Sequence, residues 1–368
     1  MTMTKKKNSC SIITLKKLDE LAYALNNVKI IAIITSKSII NNPLIINFKE
    51  KLLDKRIYHF HNILPNPTIN DLNKVLNYFR NNIKFDAVIG IGGGSVMDIT
   101  KITSIVINSS DNKYKIDTLQ KKILNSNSRS TILCLVPTTS GTGSEVTPFS
   151  TLWDKKNKQK YSVESKLNIP NYIALEPELT LSLDYYGTLF PALDSISHAL
   201  ESLWGKNKNT ESRKLSFLSL KKSNNYLSKL LFNLNDLNAR QEIQLASNLS
   251  GRAIAITKTS IAHAISYYFT LYYQVPHGLA CSFTLPFILK KNINHISHSN
   301  EEMIVLEGTY LLLEKLNLSD ILIKKYLSKR EYKDIDIEKI EMSLTDRAKN
   351  YNGVNLGGIE KIIKGSLC

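Results

Sequence analysis

The segment PALDSISHAL, residues 191–200, places a carboxylate and an imidazole four positions apart in an otherwise apolar run. On an α-helix, residues i and i+4 share a face, so Asp194 and His198 can point at one object. Two more histidines follow in apolar surroundings, His263 in IAHAISYYF and His277 in QVPHGLACS. A carboxylate with imidazoles is a ligand set of Zn²⁺, and of Fe²⁺ with open coordination sites. A single histidine is commonly partly buried without any metal, so the prediction of a metal site rests on the whole set.

A second group of residues has the character of a dinucleotide site. FDAVIGIGGGSVMDITK, residues 85–101, reads as a buried strand, then glycines, then a helix that begins near Val96 and carries Asp98 in its first turn. Glycines let backbone N–H groups approach a pyrophosphate, and a helix N-terminus adds partial positive charge. A tight turn without a ligand has the same appearance, and Ser95 stands where a GxGxxG pattern has its last glycine.

The loop PTTSGTGSE, residues 137–145, is dense in hydrogen-bonding groups. Pro137 stops a strand, and five hydroxyls around two glycines follow, on Thr138, Thr139, Ser140, Thr142 and Ser144. Loops that follow strands of one parallel sheet lie at the same edge, where ligands bind in α/β folds. A solvated Ser/Thr turn without a ligand would explain this loop as well. That explanation covers this loop alone, and the glycine loop then needs a separate one.

The elements that position these residues change in kind along the chain. Continuous apolar runs such as VKIIAIIT (28–35) alternate with segments such as NDLNKVLNYFRNN (70–82), whose apolar residues have helical spacing. This alternation predicts a parallel α/β sheet with right-handed crossovers. After about residue 185, long amphipathic stretches at 212–231 and 301–316 predict helices. We therefore expect a dinucleotide-binding α/β domain over residues 1–185 and an all-α metal-binding domain over residues 186–368.

The composition and charge indicate which classes of protein the chain can belong to. With 43% hydrophobic residues, no apolar run of membrane-spanning length and no secretory signal, we expect a soluble cytoplasmic protein without a membrane partner. The four cysteines, Cys10, Cys134, Cys281 and Cys368, lack CxxC spacing and read as reduced thiols. The net charge of +16 would fit a basic nucleic-acid-binding protein, but the lysines are dispersed and that alternative leaves the metal set unexplained.

Six motifs, in order between about residues 25 and 295, resemble the signatures of the iron-containing (group III) alcohol dehydrogenases: GGGSVMDITK, PTTSGTGSEVTPF, DSISHALE, HAISYY, VPHGLA and LPFILKKN. The resemblance implies a dehydroquinate synthase-like fold, with a dinucleotide-binding domain, a helical domain and an active site in the cleft between them. It also implies an enzyme that uses Fe²⁺, or Zn²⁺, with NADPH or NADH. By position, the metal ligands fall on Asp194, His198, His263 and His277.

The same resemblance implies a set of cofactor contacts. These fall on the pyrophosphate loop Gly92, Gly93, Gly94 and Ser95, on Asp98 beside the nicotinamide, and on the hydroxyls of Thr138, Thr139 and Thr142. After the first strand, Ser36 stands where NAD-specific members have an aspartate, with Lys37 next. Without that carboxylate a 2′-phosphate is not repelled, which favours NADPH, while use of both cofactors stays open.

Two longer stretches are similar to the phosphonoacetaldehyde reductase branch of phosphonate metabolism, SEVTPFSTLWDKKNKQKYSV and TKTSIAHAISYYFTLYYQVPHGLAC. This implies reduction of phosphonoacetaldehyde to 2-hydroxyethylphosphonate. Lys160, Arg252 and Lys258 are candidate partners of the anionic aldehyde, although in a chain this basic a solvated surface charge is the more common explanation of a lysine. A general short-chain alcohol or diol dehydrogenase, or a maleylacetate or glycerol-phosphate enzyme of the family, is the alternative. We expect a homodimer or larger homo-oligomer.

Some positions depart from the family pattern. Tyr267 stands where many members have a histidine four residues after the third ligand, and a phenol of pKa about 10 exchanges protons more slowly than imidazole near neutral pH, so water would carry the relay. Tyr267 and Lys160 are the catalytic candidates. Pro191 is predicted to begin its helix at the first turn, and Glu176 replaces a usual aspartate.

Overall fold

The structure is a computed structural model that describes residues 12–80, 83–111, 113–154, 156–157, 159–327, 335–344 and 346–367. Cys10 and Cys368 therefore lie outside the described residues, whereas Cys134 and Cys281 are buried free thiols, as predicted. The chain forms two compact units. The first takes Met1–Thr138 and Ser144–Glu176, and the second takes Thr139–Gly143 and Pro177–Cys368.

The first unit is built on a parallel sheet. Its strands are β1 (Ile13–Leu15), β2 (Ile30–Thr35), β3 (Arg56–Phe60), β4 (Ala87–Gly92), β5 (Ile132–Pro137), β6 (Phe149–Asp154), β7 (Gln159–Glu164) and β8 (Tyr172–Ala174). Six of them pair in the order β1-β8-β5-β4-β2-β3, with every neighbouring pair parallel, while β6 and β7 form an antiparallel hairpin. Strands β2, β4 and β5 are buried almost throughout, as the continuous apolar runs predict.

The strand order reverses between β2 and β4. The chain runs from β2 outward to β3 and then returns to β4 on the other side of β2, where Thr35 pairs with Ile91. Open α/β sheets bind ligands outside the carboxyl ends of the strands at such a reversal. Ser36 directly follows β2 and the glycine loop directly follows β4, so both lie at this edge.

The described part of the first unit has five α-helices: α1 (Leu18–Ala24), α2 (Pro43–Glu50), α3 (Ile69–Phe79), α4 (Gly94–Val106) and α5 (Ile116–Leu124). Helix α3 begins at a capping box, in which the Thr68 hydroxyl accepts the Asp71 N–H and the Asp71 carboxylate accepts the Thr68 N–H. Its buried face includes Leu72, Val75 and Phe79, which join one core with residues of β2, β4, α4 and α5.

The second unit is helical. Its helices are α6 (Tyr185–Trp204), α7 (Thr210–Phe232), α8 (Leu237–Thr257), α9 (Ile261–Tyr272), α10 (His277–Ser282), α11 (Leu285–Ile296), α12 (Asn300–Leu316), α13 (Leu318–Tyr326), α14 (Ile337–Ser343) and α15 (Ile359–Leu367). Among the described residues after 176 there is no strand, only a bridge between Gly205 and Tyr351. No described helix has the length and apolar character needed to cross a membrane.

Helix α6 begins earlier than the sequence predicts. Asp184 caps it by accepting the Gly187 N–H at 2.6 Å, and Tyr185 is its first residue. The prediction that Pro191 begins the helix is therefore wrong, because Pro191 lies in the helix interior. The carboxylate cap provides the start signal in place of the proline. The predicted domain boundary, between residues 185 and 186, falls within the first turn of this helix.

Candidate metal and dinucleotide sites

Helix α6 carries three ionisable side chains on one face. Asp194, His198 and Glu201 follow at i, i+4 and i+7, and they are 4%, 5% and 0% exposed. Buried charges are stable only when they are paired, hydrogen-bonded or bound to a metal. Their surroundings therefore decide what this face can bind.

Two imidazoles face one oxygen of Asp194. His198 Nε2 and His263 Nε2 each lie 3.3 Å from Asp194 Oδ1, and the two rings stack with centroids 4.8 Å apart. In the described part of the chain, Asp194 Oδ1 and His263 Nε2 have no hydrogen-bond partner although both are buried. Orphaned buried donors and acceptors are costly. A cation shared by these atoms would satisfy them, so the residues fit a divalent metal.

Helix α10 supplies the rest of the group. The His277 ring lies 5.4 Å from the His263 ring, and the ligand atoms of Asp194, His263, His277 and Cys281 all lie within 4.8 Å of one another. The structure thus brings Asp194, His263 and His277 together, with His198 beside Asp194. Their role as metal ligands stays a prediction. Sequence reasoning missed Cys281, although its position four residues after His277 was a usable signal.

Sequence reasoning also missed Glu201. Its Oε2 accepts the Nδ1–H of His263 at 2.6 Å, and its Oε1 accepts the Ala262 N–H at 2.7 Å and the Ser260 hydroxyl at 3.1 Å. Because Nδ1 donates to Glu201, Nε2 is the ring nitrogen of His263 that faces Asp194 and could bind a metal. Carboxylates commonly hold metal-binding imidazoles in this way. Ser260 also accepts the indole N–H of Trp204 at 3.0 Å.

The charges of the group favour a cation. Burial acts to raise the pKa of Asp194 and of Glu201, but the imidazoles, His198 and His263 respectively, hold both below their ordinary values. Burial lowers the pKa of His198 to about 4, so this imidazole is neutral at pH 7. Burial also acts to lower the pKa of His263, yet the acidic groups around it, Cys281 and Glu201 foremost, raise it. A metal ion would replace the proton that His263 otherwise holds.

Tyr267 lies beside the donor group. It is 5% exposed, and its ring lies parallel to that of His277 with centroids 6.2 Å apart. The Arg347 guanidinium lies 5.9 Å from the centre of the Tyr267 ring and donates to the Thr259 hydroxyl. Arg347 was not predicted, since no sequence pattern connects it with a residue so distant along the chain.

The other predicted cations are divided between the two units. Lys160 is on β7 in the first unit, with its Nζ 5.3 Å from the centre of the Trp153 ring. In the second unit, Arg252 donates from Nε to Asn248 Oδ1 at 2.9 Å, and Lys258 is exposed at the end of α8. Their role in substrate binding stays a prediction.

The glycine loop has the local geometry of a phosphate-binding turn. Gly93 is the N-cap of α4 and has no side chain to cap that end; the Val96 N–H donates to the Gly93 carbonyl at 3.0 Å, so the N–H groups that precede Val96 are the ones that could bind a phosphate. A Cβ at Gly92 would lie 2.5 Å from Val96 Cγ2, so only glycine lets the helix pack this closely on the strand. Ser95 Oγ accepts the Asn66 N–H at 3.2 Å.

Asp98 and Lys101 anchor the segment that leads into the β6–β7 hairpin. Asp98 accepts the Ser144 hydroxyl at 2.7 Å and the Thr151 N–H at 3.1 Å, and burial raises its pKa. Lys101 is completely buried and donates to Ser144 Oγ at 2.9 Å and to the carbonyls of Thr147 and Phe149 at 3.0 and 2.7 Å. Burial lowers the pKa of Lys101 to about 8. Contact of Asp98 with a nicotinamide stays a prediction.

The hydroxyl loop is divided between the units. Thr138 belongs to the first, where its N–H donates to the Gly92 carbonyl at 3.0 Å. Residues 139–143, which include the partly buried Thr139 and Thr142, belong to the second. There Gly143 has φ +56°, and a Cβ on it would lie 2.4 Å from Gly251 Cα.

Polar groups gather at the carboxyl ends of β2 and β3. The Ser36 and Ser38 hydroxyls lie 3.0 Å apart, and the Thr35 hydroxyl lies 2.9 Å from His59 Nε2. Burial lowers the pKa of His59 to about 4, so this imidazole is neutral at pH 7. Ser36 carries a hydroxyl and no carboxylate, and a ribose contact there stays a prediction.

Two family models match the chain, described as iron-containing alcohol dehydrogenase over residues 11–177 and as the C-terminal part of the Fe-containing alcohol dehydrogenase family over residues 188–343. A phosphonoacetaldehyde reductase of Streptomyces viridochromogenes is 32% identical over 57% of this chain and 54% of its own length. A sulfoacetaldehyde reductase of Bilophila wadsworthia is 33% identical over 60% of this chain and 55% of its own length. The match thus spans about half of each relative. The crystal structure of an iron-containing alcohol dehydrogenase from Thermotoga maritima has a TM-score of 0.80 at 27% identity and covers 97% of both chains.

Proposed function

Because the chain belongs to the iron-containing alcohol dehydrogenase family, an oxidoreductase family that uses iron and NAD(H), we propose that it is a reductase of a small anionic aldehyde. The proposed substrate is phosphonoacetaldehyde and the product 2-hydroxyethylphosphonate. The observation that carries the proposal is the buried group around Asp194, whose Oδ1 faces two imidazoles at 3.3 Å without a hydrogen-bond partner among the described residues.

The proposed ligands are Asp194, His198, His263 and His277. When bound, the metal ion supplies Lewis acidity toward the aldehyde oxygen, and the reduced nicotinamide supplies hydride. Glu201 fixes the tautomer of His263 by accepting its Nδ1–H, which leaves Nε2 available as a donor atom. The almost complete burial of Asp194 and His263 excludes water from the ligand atoms, which strengthens their electrostatic interaction with a cation.

Tyr267, whose ring lies beside that of His277, is the proposed proton donor. Its ring lies parallel to that of His277, and phenols in general exchange protons more slowly than imidazoles near neutral pH. Turnover would therefore depend on water for the return of the proton. Tyr267→Phe should lower turnover without changing metal content if the hydroxyl lies on the proton path, and should leave turnover unchanged if water alone serves.

The charge of the substrate is supported by two observations. Both relatives described above are reductases of aldehydes with an acidic group, a phosphonate in one and a sulfonate in the other. Arg347 offers a guanidinium beside Tyr267, and guanidinium groups bind phosphonate oxygens in a bidentate manner. Lys160, Arg252 and Lys258 are further candidate cations. Sulfoacetaldehyde is the second candidate substrate because the sulfoacetaldehyde reductase is equally similar.

Substrate profiling tests the proposal. The metal-loaded protein should oxidise NADPH with a higher kcat/KM for phosphonoacetaldehyde than for sulfoacetaldehyde, and much higher than for butanal. Arg347→Gln should weaken use of the phosphonate by about 10- to 100-fold, the loss of a charged hydrogen bond of about 1.5–3 kcal/mol, and leave butanal unaffected. Arg80→Gln, at a surface arginine paired with Asn77, is the matched control. Equal rates with butanal would instead favour a general alcohol dehydrogenase.

We propose that the protein uses NADPH in preference to NADH. Ser36 adds no negative charge beside a 2′-phosphate, and Lys37 follows it. Ser36→Asp should shift the ratio of kcat/KM values toward NADH, and an unchanged ratio would contradict the proposed ribose contact. Light scattering of the purified protein tests the further proposal of a homodimer or larger homo-oligomer.

A further inference from the structure

Lys258, directly after α8, has a backbone conformation that glycine adopts freely and other residues rarely adopt. Its φ is +63° and its ψ is 172°. Asn317 also has a positive φ, but its φ of +45° and ψ of 57° are ordinary left-handed values. The conformation of Lys258 is strained in any residue that has a Cβ, and it persists only where the surrounding contacts hold it.

Contacts on both sides of Lys258 hold this conformation. The side-chain amide of Asn350 donates to the carbonyls of Thr257 and Thr259, at 2.8 and 3.0 Å. These two threonines are the chain neighbours of Lys258, and both are buried. The Arg347 guanidinium donates to the Thr259 hydroxyl. The turn is therefore fixed to a segment almost 90 positions later in the chain.

Neither packing nor backbone geometry explains why a lysine stands at this position. The Lys258 side chain is exposed, so it gains little from burial in the core. Glycine would occupy the position without strain, and it is the residue that commonly follows the last turn of a helix. A lysine that serves only solubility needs no particular backbone conformation. Strained residues that their surroundings hold in place cluster at ligand sites, so the strain indicates that the ammonium group itself is needed here.

The strained turn is connected to the candidate site within the second unit. Arg347, which donates to Thr259, has its guanidinium 5.9 Å from the centre of the Tyr267 ring. Of the candidate cations, all of which the structure describes, Lys258 alone has a positive φ. We propose that Lys258 determines substrate specificity, its ammonium binding the acidic group of the aldehyde beside the Arg347 guanidinium. This deepens the proposed function and rests on it.

Three substitutions separate the charge of the side chain from the strain of the backbone. Lys258→Met removes the charge and keeps the strain, Lys258→Gly removes both, and Lys258→Arg keeps both. In the full-length, zinc-loaded protein, the ratio of kcat/KM for phosphonoacetaldehyde to kcat/KM for butanal should fall by about 10- to 100-fold in the first two variants. It should stay near the wild-type value in Lys258→Arg. Lys258→Gly alone should raise the midpoint of urea unfolding, because glycine relieves the strain.

Binding of the product provides a measurement that does not depend on turnover. The calorimetric Kd of 2-hydroxyethylphosphonate for the zinc-loaded protein should rise by about 10- to 100-fold in Lys258→Met. Asn317→Gly, at a positive φ between α12 and α13, is the matched control and should change neither this Kd nor the substrate ratio.

Two results would overturn the inference and leave the proposed function standing. One is a wild-type preference for phosphonoacetaldehyde that persists in Lys258→Met. The other is a more stable Lys258→Gly protein that keeps this preference, since the strain would then serve no recognition. A wild-type protein that uses butanal as well as phosphonoacetaldehyde would overturn the proposed function and this inference together.

Discussion

Glu201→Gln should weaken metal binding through a change of tautomer in His263. Oε1 of Glu201 accepts N–H groups of Ala262 and His263 and the hydroxyl of Ser260, so the amide oxygen of glutamine will take that position. The amide NH₂ then faces His263 Nδ1, which must become an acceptor, and Nε2 must carry the proton. Nε2 can then bind a metal only after the ring changes its tautomer.

The magnitude follows from the bond that metal binding must break. To bind a metal, His263 in the variant must give up the new hydrogen bond and restore the Nδ1–H tautomer against an amide donor. Loss of a hydrogen bond to a charged group costs about 1.5–3 kcal/mol, and loss of a carboxylate behind a metal ligand typically costs about 10- to 100-fold in affinity. We therefore expect the Zn²⁺ Kd to rise by about 10- to 100-fold.

Competition with a chromophoric chelator measures this Kd. Glu242→Gln is the control, because Glu242 pairs with Lys222 away from the donor group and such pairs contribute about 0–1 kcal/mol. Thermal unfolding of the metal-free proteins separates loss of folding from loss of affinity. A Kd for Glu201→Gln within twofold of wild type, or an equal loss in Glu242→Gln, would refute the reasoning.

Three further outcomes are expected. Zn²⁺ at about 100 times its Kd should stabilise the protein by about 2.7 kcal/mol in denaturant unfolding, and Asp194→Asn should remove this effect; stabilisation that persists in the variant contradicts the site. Gly143→Ala should lower stability by about 1–3 kcal/mol because its Cβ meets Gly251, beyond the loss in Gly358→Ala, where φ is +93° but no atom lies within 4 Å. Burial lowers the pKa of Lys101 from an ordinary value of 10.5 to about 8 in the folded protein, so the unfolded state binds more protons between these two pH values. The free energy of unfolding of the wild type minus that of Lys101→Met should therefore rise between pH 8 and pH 10.5, by about 3 kcal/mol at most. A difference that stays constant with pH in urea unfolding would contradict the lowered pKa.

Long elements were predictable from the sequence, and short ones were not. Strands β2, β4 and β5 carry continuous apolar runs because both of their faces are buried, and helices α7 and α12 are long enough to show a helical period. Strands β1 and β8 have three residues each, too few for any period to be seen. Pro191 was assigned to a helix start on general preference, but Asp184 determines the actual start.

The candidate site was predictable where its residues share a helix face. Asp194 and His198 follow from the i, i+4 spacing, and the same rule applied one turn further would have found Glu201. It would also have connected Cys281 with His277. Arg347 and Tyr267 come together only in the folded chain, so their proximity carries no local signal in the sequence.

The hydrogen bonds around Glu201 also connect it to a fluorescent side chain, that of Trp204. The chain has two tryptophans, and one of them, Trp204, donates to Ser260, whose hydroxyl donates to Glu201. The indole is therefore three hydrogen bonds away from His263 and is completely buried. Replacement of the His263 proton by a metal ion changes the electric field at this indole, so the protein's intrinsic fluorescence can follow metal loading without an added dye.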